Sequence, residues 1–226
     1  MKKHDLLSLS DEQLITMIKS PDNMVATKKL SDILATDSIF GPMVLDLLNK
    51  SEPETRAFVT FLARQIVPFS FLEVGVRRGW STAAVAMASP ECEIYAFDEW
   101  HTNYAGVPNP GPEFVTEELR KFGYQKPINF ISGNSHVTLR EFFAKSPDKM
   151  MDMILVDGDH SVDGATQDLM DTMAHISVGG AMVFDDIVDC AGLQEVWDNL
   201  IISFPNFRYV SYRGNKPGVA FAIRIS

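Results

Sequence analysis

The sequence predicts an α/β fold: a doubly wound, mostly parallel sheet with a C-terminal antiparallel hairpin, preceded by an N-terminal helical extension. Three observations predict it. From residue 68 onward, short apolar runs alternate with amphipathic helical segments, which is typical of βαβ units. Two apolar runs near the end, 207–212 and 218–224, are separated by Arg213-Gly214-Asn215, a composition typical of a tight hairpin. The first 66 residues are instead dominated by helical periodicity.

The composition fits a globular protein of 226 residues, with 46% hydrophobic and 22% charged residues. A net charge of -10 argues against a nucleic-acid partner, because phosphate backbones are bound by basic surfaces. No stretch approaches the roughly 20 apolar residues of a membrane span, and no signal-peptide pattern is present, so we expect a cytoplasmic protein without a membrane partner. Cys92 and Cys190 are expected to be buried small hydrophobes rather than a disulfide.

The helical extension, residues 1–66, contains two capping-box patterns that predict helix starts. Ser10 and Gln13 have this spacing before one amphipathic run, and Ser51 and Glu54 have it before another. The extension is expected to cap the sheet. The alternative is a partner interface, for example in a homo-oligomer, or a substrate lid.

The second part of the chain, residues 67–226, is expected to form the α/β domain. Its strands are predicted over 69–74, 92–98, 128–132, 151–157 and 180–185. Its helices are predicted over 81–88, 113–122, 136–145 and 161–176, and an apolar stripe over 193–201 predicts one more. Ligands bind outside the carboxyl ends of the strands in such sheets, so functional residues are expected there.

The stretch 71–81 predicts a buried strand, a glycine turn and a helix that starts near Ser81, the expected N-cap. Gly75 and Gly79 allow the backbone to approach a ligand closely. The spacing E-x-G-x-x-x-G lacks the three glycines of the dinucleotide fingerprint and adds Glu73 two residues before the first glycine. An acid there repels a pyrophosphate but suits a ligand with an ammonium group.

This stretch resembles the first motif of class I S-adenosylmethionine-dependent methyltransferases, which have a Rossmann-like fold. Asp98 ends the second strand, where an acid accepts hydrogen bonds from a ribose diol, and it is preferred over Glu99 because it follows the last apolar residue. In that class the adenine ring lies beside the loop after the third strand. The resemblance therefore implies Gly133 and Ser135 as cofactor-binding residues, with a plain helix cap as the alternative for Ser135.

Aspartates follow the fourth and fifth predicted strands: Asp157 and Asp159 after one, Asp185 and Asp186 after the other. Because neighbouring strand ends face one cleft, we expect Asp157, Asp185 and Asp186 to lie together. Crowded carboxylates repel one another unless they are protonated or bridged by a cation, and oxygen ligands suit Mg²⁺, with Ca²⁺ or Mn²⁺ as alternatives. The acids could instead be solvated or cap the following turns, which is the expectation for Asp159.

The pattern D-G-D-H at 157–160, followed by D-D at 185–186, resembles the macrocin O-methyltransferase group and the related cephalosporin hydroxylase-like proteins. The resemblance covers residues 68–186. It implies Asp157, Asp185 and Asp186 as metal ligands and His160 as general base. It also implies S-adenosylmethionine-dependent O-methylation of a sugar or natural-product-like hydroxyl. Catechol methyltransferases have an amide in place of the last acid and a lysine base, so a catechol substrate is disfavoured.

The segment 100–113 is rich in proline and aromatic residues and follows Asp98. It is expected to cover the pocket, with Trp100 and Tyr104 stacking on adenine or on a substrate ring, and a plain surface loop is the alternative. His101 in this segment is a second candidate base. His136 and His175 are expected to be structural.

Three other functions stay open at this point. A metal-independent methyltransferase would use Asp157 and His160 as an acid/base pair. A non-catalytic S-adenosylmethionine-binding protein would need neither the acids nor the base. A nicotinamide-dependent oxidoreductase is disfavoured by Glu73 and by the missing middle glycine.

Overall fold

A seven-stranded sheet forms the centre of the computed structural model, which describes residues 5–34, 42, 46, 49–50, 52–104, 106, 108–214 and 217–226. The strands are β1 (Ser70–Val74), β2 (Glu93–Asp98), β3 (Asn129–Ser132), β4 (Met151–Val156), β5 (Ile176–Phe184), β6 (Phe207–Tyr212) and β7 (Val219–Arg224). Their spatial order is β3-β2-β1-β4-β5-β7-β6. Strands β1 to β5 pair in parallel, whereas β7 is antiparallel to both β5 and β6. The predicted Rossmann-like fold with its C-terminal antiparallel hairpin is confirmed.

Helices cover both faces of this sheet. Within the described ranges they are α1 (Asp5–Ser8), α2 (Asp11–Ile18), α3 (Pro21–Ile33), α4 (Thr55–Ile66), α5 (Trp80–Ala88), α6 (Pro112–Arg120), α7 (Ser135–Lys145), α8 (Val162–Met173) and α9 (Leu193–Ser203). Successive strand residues point to opposite faces. Phe71 therefore packs in the core shared with α2 to α6, and Leu72 packs in the core shared with α7 to α9. No helix among the described residues is long and apolar enough to cross a membrane.

The start of α2 confirms the first predicted capping box. The Ser10 hydroxyl accepts a hydrogen bond from the Gln13 N–H at 3.1 Å, and the Gln13 side chain accepts one from the Ser10 N–H at 2.7 Å. The second predicted box includes Ser51, which lies outside the described residues. Helix α4 begins at Thr55, with Glu54 as its N-cap residue.

The N-terminal helices share the core of the sheet rather than standing apart from it. Asn23 belongs to α3, and its side-chain amide donates to the carbonyl oxygens of Ile18 in α2 and of Ala57 in α4, at 2.9 Å each. At the sheet edge, Arg208 in β6 forms an ion pair with Asp11 at 3.0 Å. The division of the chain into 1–66 and 67–226 stays a prediction.

The boundary between α8 and β5 differs most from the prediction, whereas the other predicted bounds differ by two residues at most. Helix α8 ends at Met173 rather than at residue 176, and β5 begins at Ile176 rather than at residue 180. The sequence Gly179-Gly180 indicated a break before the strand, but both glycines lie inside it. A Cβ atom on Gly180 would lie 2.7 Å from the carbonyl oxygen of Asp152, and the pairing of β4 with β5 is irregular here. The glycines therefore permit a bulge within one strand.

Candidate active site

A cavity of about 660 Å³ lies at the carboxyl ends of the parallel strands, within the usual range for small-molecule sites. It opens between β1 and β4, where the strand order reverses. The loops that follow these two strands lead to opposite faces of the sheet and leave a crevice between them. Its wall combines residues from five strand ends with residues from the start of α4. Of the predicted site residues, those in this wall are Glu73, Gly75, Ser81, Asp98, Gly133, Ser135, Asp157, His160, Asp185 and Asp186.

Gly75 connects the ends of β1, β2 and β4. Its N–H donates to the carbonyl oxygen of Phe97 at 2.9 Å, and the N–H of Asp157 donates to that of Val74 at 2.9 Å. Its φ is +86°, a conformation that favours glycine. A Cβ atom here would lie 2.6 Å from the carbonyl carbon of Asp157 and closer still to its oxygen. A side chain at this position is therefore incompatible with the packing of the two strand ends.

Glu73 places a buried carboxyl group in the cavity wall, with only 1% of the residue exposed. The hydroxyl of Thr82 donates a hydrogen bond to it. Burial raises the pKa of Glu73 well above its ordinary value, and the carboxylates of Asp157 and Asp98 add to this effect. A cationic group in the cavity would stabilise the charged form of Glu73, so the electrostatics agree in sign with an ammonium-bearing ligand.

Asp98 accepts four hydrogen bonds from the chain itself. One oxygen accepts from the N–H groups of Val76 at 2.9 Å and Arg77 at 2.7 Å. The other accepts from the N–H of Trp100 at 2.6 Å and from the side-chain amide of Asn109 at 3.3 Å. Because a carboxylate offers about four acceptor sites, a ribose diol would have to share or replace one of these donors. The long bond from Asn109 is the easiest to exchange.

The two helix starts beside the cavity differ from the prediction. Ser81 is not the N-cap of its helix, because Gly79 takes that position with φ +74° and Ser81 lies buried in the first turn. Ser135 is not a cap either, because the side chain of Asn134 accepts the hydrogen bond from the His136 N–H. Both serines nevertheless line the cavity.

Two predicted cofactor-site residues lie outside the cavity wall. A Cβ atom on Gly79 would meet the side chain of Val115 at 2.7 Å, so this glycine permits packing of α5 against α6. The Trp100 ring packs at 5.8 Å from the ring of Phe130, and its indole N–H donates to the Ser132 hydroxyl at 3.1 Å. Trp100 thus anchors the segment that follows β2 instead of facing the cavity.

The rest of segment 100–113 does reach the cavity, through His101, Tyr104 and Asn109. The Tyr104 ring lies 5.3 Å from the guanidinium group of Arg77. The second candidate base, His101, places its Nε2 atom 2.5 Å from a carboxylate oxygen of Glu99. Of the residues described in this segment, Tyr104 is therefore the aromatic one placed to contact a ligand.

The predicted acidic cluster is assembled at the ends of β4 and β5. Asp157, Asp185 and Asp186 each offer one carboxylate oxygen, and these three oxygens lie within 4.8 Å of one another. Burial raises the pKa of Asp185 well above its ordinary value, with further contributions from Asp157 and Asp186. Burial, followed by the charge of Asp157, raises the pKa of Asp186 to about 6. Such a cluster favours a proton or a cation over three uncompensated charges, and the oxygen donors fit Mg²⁺.

His160 lies against this cluster. Its Nε2 atom is 3.4 Å from Asp157 Oδ1 and 3.3 Å from Asp186 Oδ2. The hydrogen bond to Asp157, together with the surrounding negative charge, raises the pKa of His160 to about 9. An imidazole with that pKa holds its proton at neutral pH. The predicted role of general base therefore requires that the charge of these carboxylates be compensated. Asp159 caps the next turn as predicted, by accepting a hydrogen bond from the Ser161 N–H at 2.8 Å.

Two residues at the start of α4, Glu54 and Arg56, line the cavity and were not predicted as site residues. They form an ion pair at 2.7 Å, and the guanidinium group of Arg56 lies 4.3 Å from the centre of the Trp80 ring. The capping pattern before α4 indicated a helix start. No local feature of the sequence shows that this start faces the ends of distant strands.

The two cysteines are free, and they differ in environment. Cys92 is fully buried, as predicted. The prediction for Cys190 is wrong, because this residue is half-buried and its sulfur lies within 4.8 Å of ligand atoms of His160 and Asp186. Asp186 and Cys190 are four positions apart in the sequence. This spacing could have indicated their proximity, since residues four apart share one side of a helical turn.

Asp168 in α8 is a fully buried carboxyl group behind the cavity wall. Burial raises its pKa to about 6, against opposing contributions from Ser135 and His136. Because this folded-state pKa exceeds the ordinary value of 3.8, the folded protein binds the proton more tightly and loses stability as the pH rises between these two values.

Replacing Asp168 with asparagine is expected to raise the free energy of unfolding by up to about 3 kcal/mol at pH 8, since one pKa unit corresponds to about 1.4 kcal/mol. The gain should be smaller at pH 5, where the native carboxyl is mostly protonated. Urea denaturation at both pH values measures it, and Asp163→Asn, an exposed change in the same helix, serves as the control. A gain that is equal at the two pH values would contradict the burial argument.

Comparison with known proteins gives one family match and several structures with a similar fold. A model of the family described as "Methyltransferase domain" matches residues 72–187, just over half of the chain. A search of curated protein sequences returns no significant match. Among solved structures, the O-methyltransferase TomG from Streptomyces achromogenes, in complex with SAM, is similar at 17% identity and a TM-score of 0.62, with 89% of this chain and 96% of that chain covered.

Two further solved structures are similar at the level of the fold. The O-methyltransferase from Bacillus cereus, in complex with SAH, shares 13% identity at a TM-score of 0.60, covering 88% of this chain and 97% of that one. The calicheamicin methyltransferase CalS11 shares 17% identity at a TM-score of 0.56, covering 91% and 93%. At these identities the likeness demonstrates a common fold.

Proposed function

The chain belongs to the family of methyltransferase domains, and from that premise we propose that it transfers a methyl group from S-adenosylmethionine to a hydroxyl group of a small molecule. We propose further that Asp157, Asp185 and Asp186 hold a divalent cation, Mg²⁺ by preference, during this reaction. The observation that carries the proposal is that the glycine turn after β1 and the three clustered carboxylates line one cavity. A sugar or natural-product-like acceptor is in keeping with CalS11, which is described as a TDP-rhamnose 3'-O-methyltransferase.

The cofactor half of the cavity is formed by the ends of β1, β2 and β3. Gly75 allows the ends of β1 and β4 to pack closely, and Glu73 supplies a negative group for the ammonium of the amino-acid part. Asp98 is the proposed ribose acceptor, in exchange for its bond from Asn109. Gly133 and Ser135 are the proposed contacts of the adenine ring.

The acceptor half is formed by the ends of β4 and β5, the start of α4 and segment 100–113. Glu54, Arg56 and Tyr104 line it beside the carboxylate cluster. Tyr104 lies close enough to Asp157 and Asp186 for their charges to contribute to its raised pKa, of which burial is the main cause. These three side chains would orient the acceptor and limit the access of water.

The proposed reaction is an in-line displacement at the methyl carbon. When bound, S-adenosylmethionine supplies the electrophilic methyl group, and Mg²⁺ lowers the pKa of a coordinated hydroxyl. His160 Nε2, which lies between Asp157 and Asp186, is placed to accept the hydroxyl proton once the charge of these carboxylates is compensated. The chain's own contribution is to hold the oxygen, the methyl carbon and the sulfur in line.

A metal-independent methyltransferase is the second candidate, and the distance of 3.4 Å between His160 Nε2 and Asp157 Oδ1 favours it. In that case the two side chains act as an acid/base pair without a cation. Chelation separates the two mechanisms. Activity that disappears with EDTA and returns with Mg²⁺ supports the metal, whereas activity that is unaffected by EDTA supports the pair.

The proposed cofactor site is tested by calorimetric titration of metal-stripped protein with S-adenosylhomocysteine, then again after addition of Mg²⁺, with NAD as the control ligand. We expect binding of S-adenosylhomocysteine in both runs, a separate heat for Mg²⁺ and no binding of NAD. Glu73→Gln is expected to weaken binding about tenfold, since loss of a charge-assisted hydrogen bond costs roughly 1.4 kcal/mol or more. Absence of S-adenosylhomocysteine binding in both runs would refute the proposed cofactor.

A further inference from the structure

A second set of ligand atoms overlaps the acidic cluster. His160, Asp186 and Cys190 each offer one atom, and these nitrogen, oxygen and sulfur atoms lie within 4.8 Å of one another. The nitrogen and the oxygen are 3.3 Å apart. Atoms that bind one metal ion at about 2.0–2.3 Å lie at such separations from one another. Geometrically, the three side chains could therefore share one ion.

The turn after β5 holds two of these ligands in place. Asp186 has φ +59°, a left-handed conformation that is rare for a residue with a side chain. The N–H of Cys190 donates to the carbonyl oxygen of Asp186 at 3.1 Å, which closes one helical turn and puts both side chains on the same side. The N–H of Val188 donates to the carbonyl oxygen of Pro217 at 2.9 Å, so the turn is tied to the start of β7.

The donor set differs in chemistry from the three carboxylates. Imidazole nitrogen, thiolate sulfur and one carboxylate oxygen suit Zn²⁺, whereas Mg²⁺ prefers oxygen alone. Three protein ligands leave one position of a tetrahedral zinc ion open for water. Asp186 belongs to both sets, so an ion bound by one set uses a ligand of the other, and two divalent cations this close together repel each other.

We propose that His160, Asp186 and Cys190 form a binding site for Zn²⁺, and that this ion competes with the divalent cation of the neighbouring carboxylates. Zinc bound there occupies His160 Nε2, the proposed proton acceptor, and draws Asp186 away from the other set. The site therefore makes the protein sensitive to inhibition by zinc. This inhibition rests on the proposed function, but zinc binding itself does not.

The presence of only two cysteines allows a direct test of the binding. Metal-stripped full-length protein is titrated with Co²⁺, a spectroscopic substitute for Zn²⁺, and the thiolate-to-cobalt charge-transfer absorption is recorded. The absorption is expected in the native protein and in Cys92→Ala, and not in Cys190→Ala. Calorimetry with Zn²⁺ should show an affinity about tenfold or more lower in Cys190→Ala, since even changes behind the ligands cost 10–100-fold. Equal thermal melting curves verify that both variants fold.

Three results would overturn the proposed zinc site. If the charge-transfer band persists in Cys190→Ala, or if the native protein shows no band, the thiolate of Cys190 is not a ligand of the ion. An unchanged Zn²⁺ affinity in Cys190→Ala places the ion on the carboxylates alone. The methyltransferase proposal has its own readout, because S-adenosylhomocysteine binding is measured without zinc. A protein that shows the cobalt band but binds no S-adenosylhomocysteine keeps the zinc site and loses the proposed function.

Discussion

Replacing Asp157 with asparagine is expected to lower the turnover number about 100-fold or more while binding of S-adenosylhomocysteine survives. A metal ion that polarises the acceptor contributes several kcal/mol to the stabilisation of the transition state, and each 1.4 kcal/mol is about tenfold in rate. Asparagine keeps the shape of the side chain but removes one of the three carboxyl groups whose oxygens lie within 4.8 Å of one another. The change therefore weakens binding of the cation and alters the contact between His160 and residue 157. It does not alter the backbone turn at Gly75, so the cofactor can still bind.

Steady-state kinetics at a series of Mg²⁺ concentrations measure this effect, and calorimetry measures the retained cofactor binding. The matched control is Asp163→Asn, which makes the same substitution at an exposed position outside the cavity wall. Turnover that is equal in Asp157→Asn and in the native protein would remove Asp157 from the reaction. Loss of S-adenosylhomocysteine binding would show instead that Asp157 acts mainly on the cofactor.

The second large effect is expected at Gly75. Substitution by alanine should lower the free energy of unfolding by about 3 kcal/mol and abolish measurable cofactor binding. The new Cβ would overlap the backbone of Asp157, where overpacking costs about 1–3 kcal/mol, and the φ of +86° adds about 1–2 kcal/mol for a residue with a side chain. Relief of the overlap pushes the ends of β1 and β4 apart, and these ends form the floor of the cavity.

Gly123→Ala is the matched control for this prediction. Gly123 has nearly the same φ, +83°, but a Cβ atom there meets nothing within 4 Å. Its substitution should lower the free energy of unfolding only by the conformational penalty, about 1–2 kcal/mol, and leave cofactor binding unchanged. Urea denaturation and calorimetry of the two variants separate backbone strain from overlap. Equal losses of stability would contradict the argument that close packing against Asp157 requires a glycine.

The main architecture follows from local patterns. Alternating apolar runs and helical stripes predict strands and helices because burial on a sheet or on a helix face imposes periods of two or 3.6 residues. The topology of parallel sheets then brings the carboxyl ends of neighbouring strands to one edge. These two rules predicted that Asp157, Asp185 and Asp186 lie together, and the structure places them so.

Details of the site depended on contacts between distant parts of the chain. Ser81 is a residue type that often caps helices, yet Gly79 takes the N-cap position with φ +74°, and α6 packs against this glycine. Asp98 is a strand-end acid, and only the fold shows that four donors of the chain already surround it. A residue type limits which bonds a side chain makes, but the neighbours decide which of them form.

Local patterns were sufficient to predict the fold class, the strand ends that form the site and the acids at those ends, because hydrophobic periodicity depends on residues that are close together in the chain. Two other features became visible only in the folded chain: the start of α4 brings Arg56 to the cavity, and Cys190 lies beside His160 and Asp186. Both facts depend on how elements far apart in the chain pack on the sheet. No local pattern specifies that packing, because it results from the balance of all buried contacts at once.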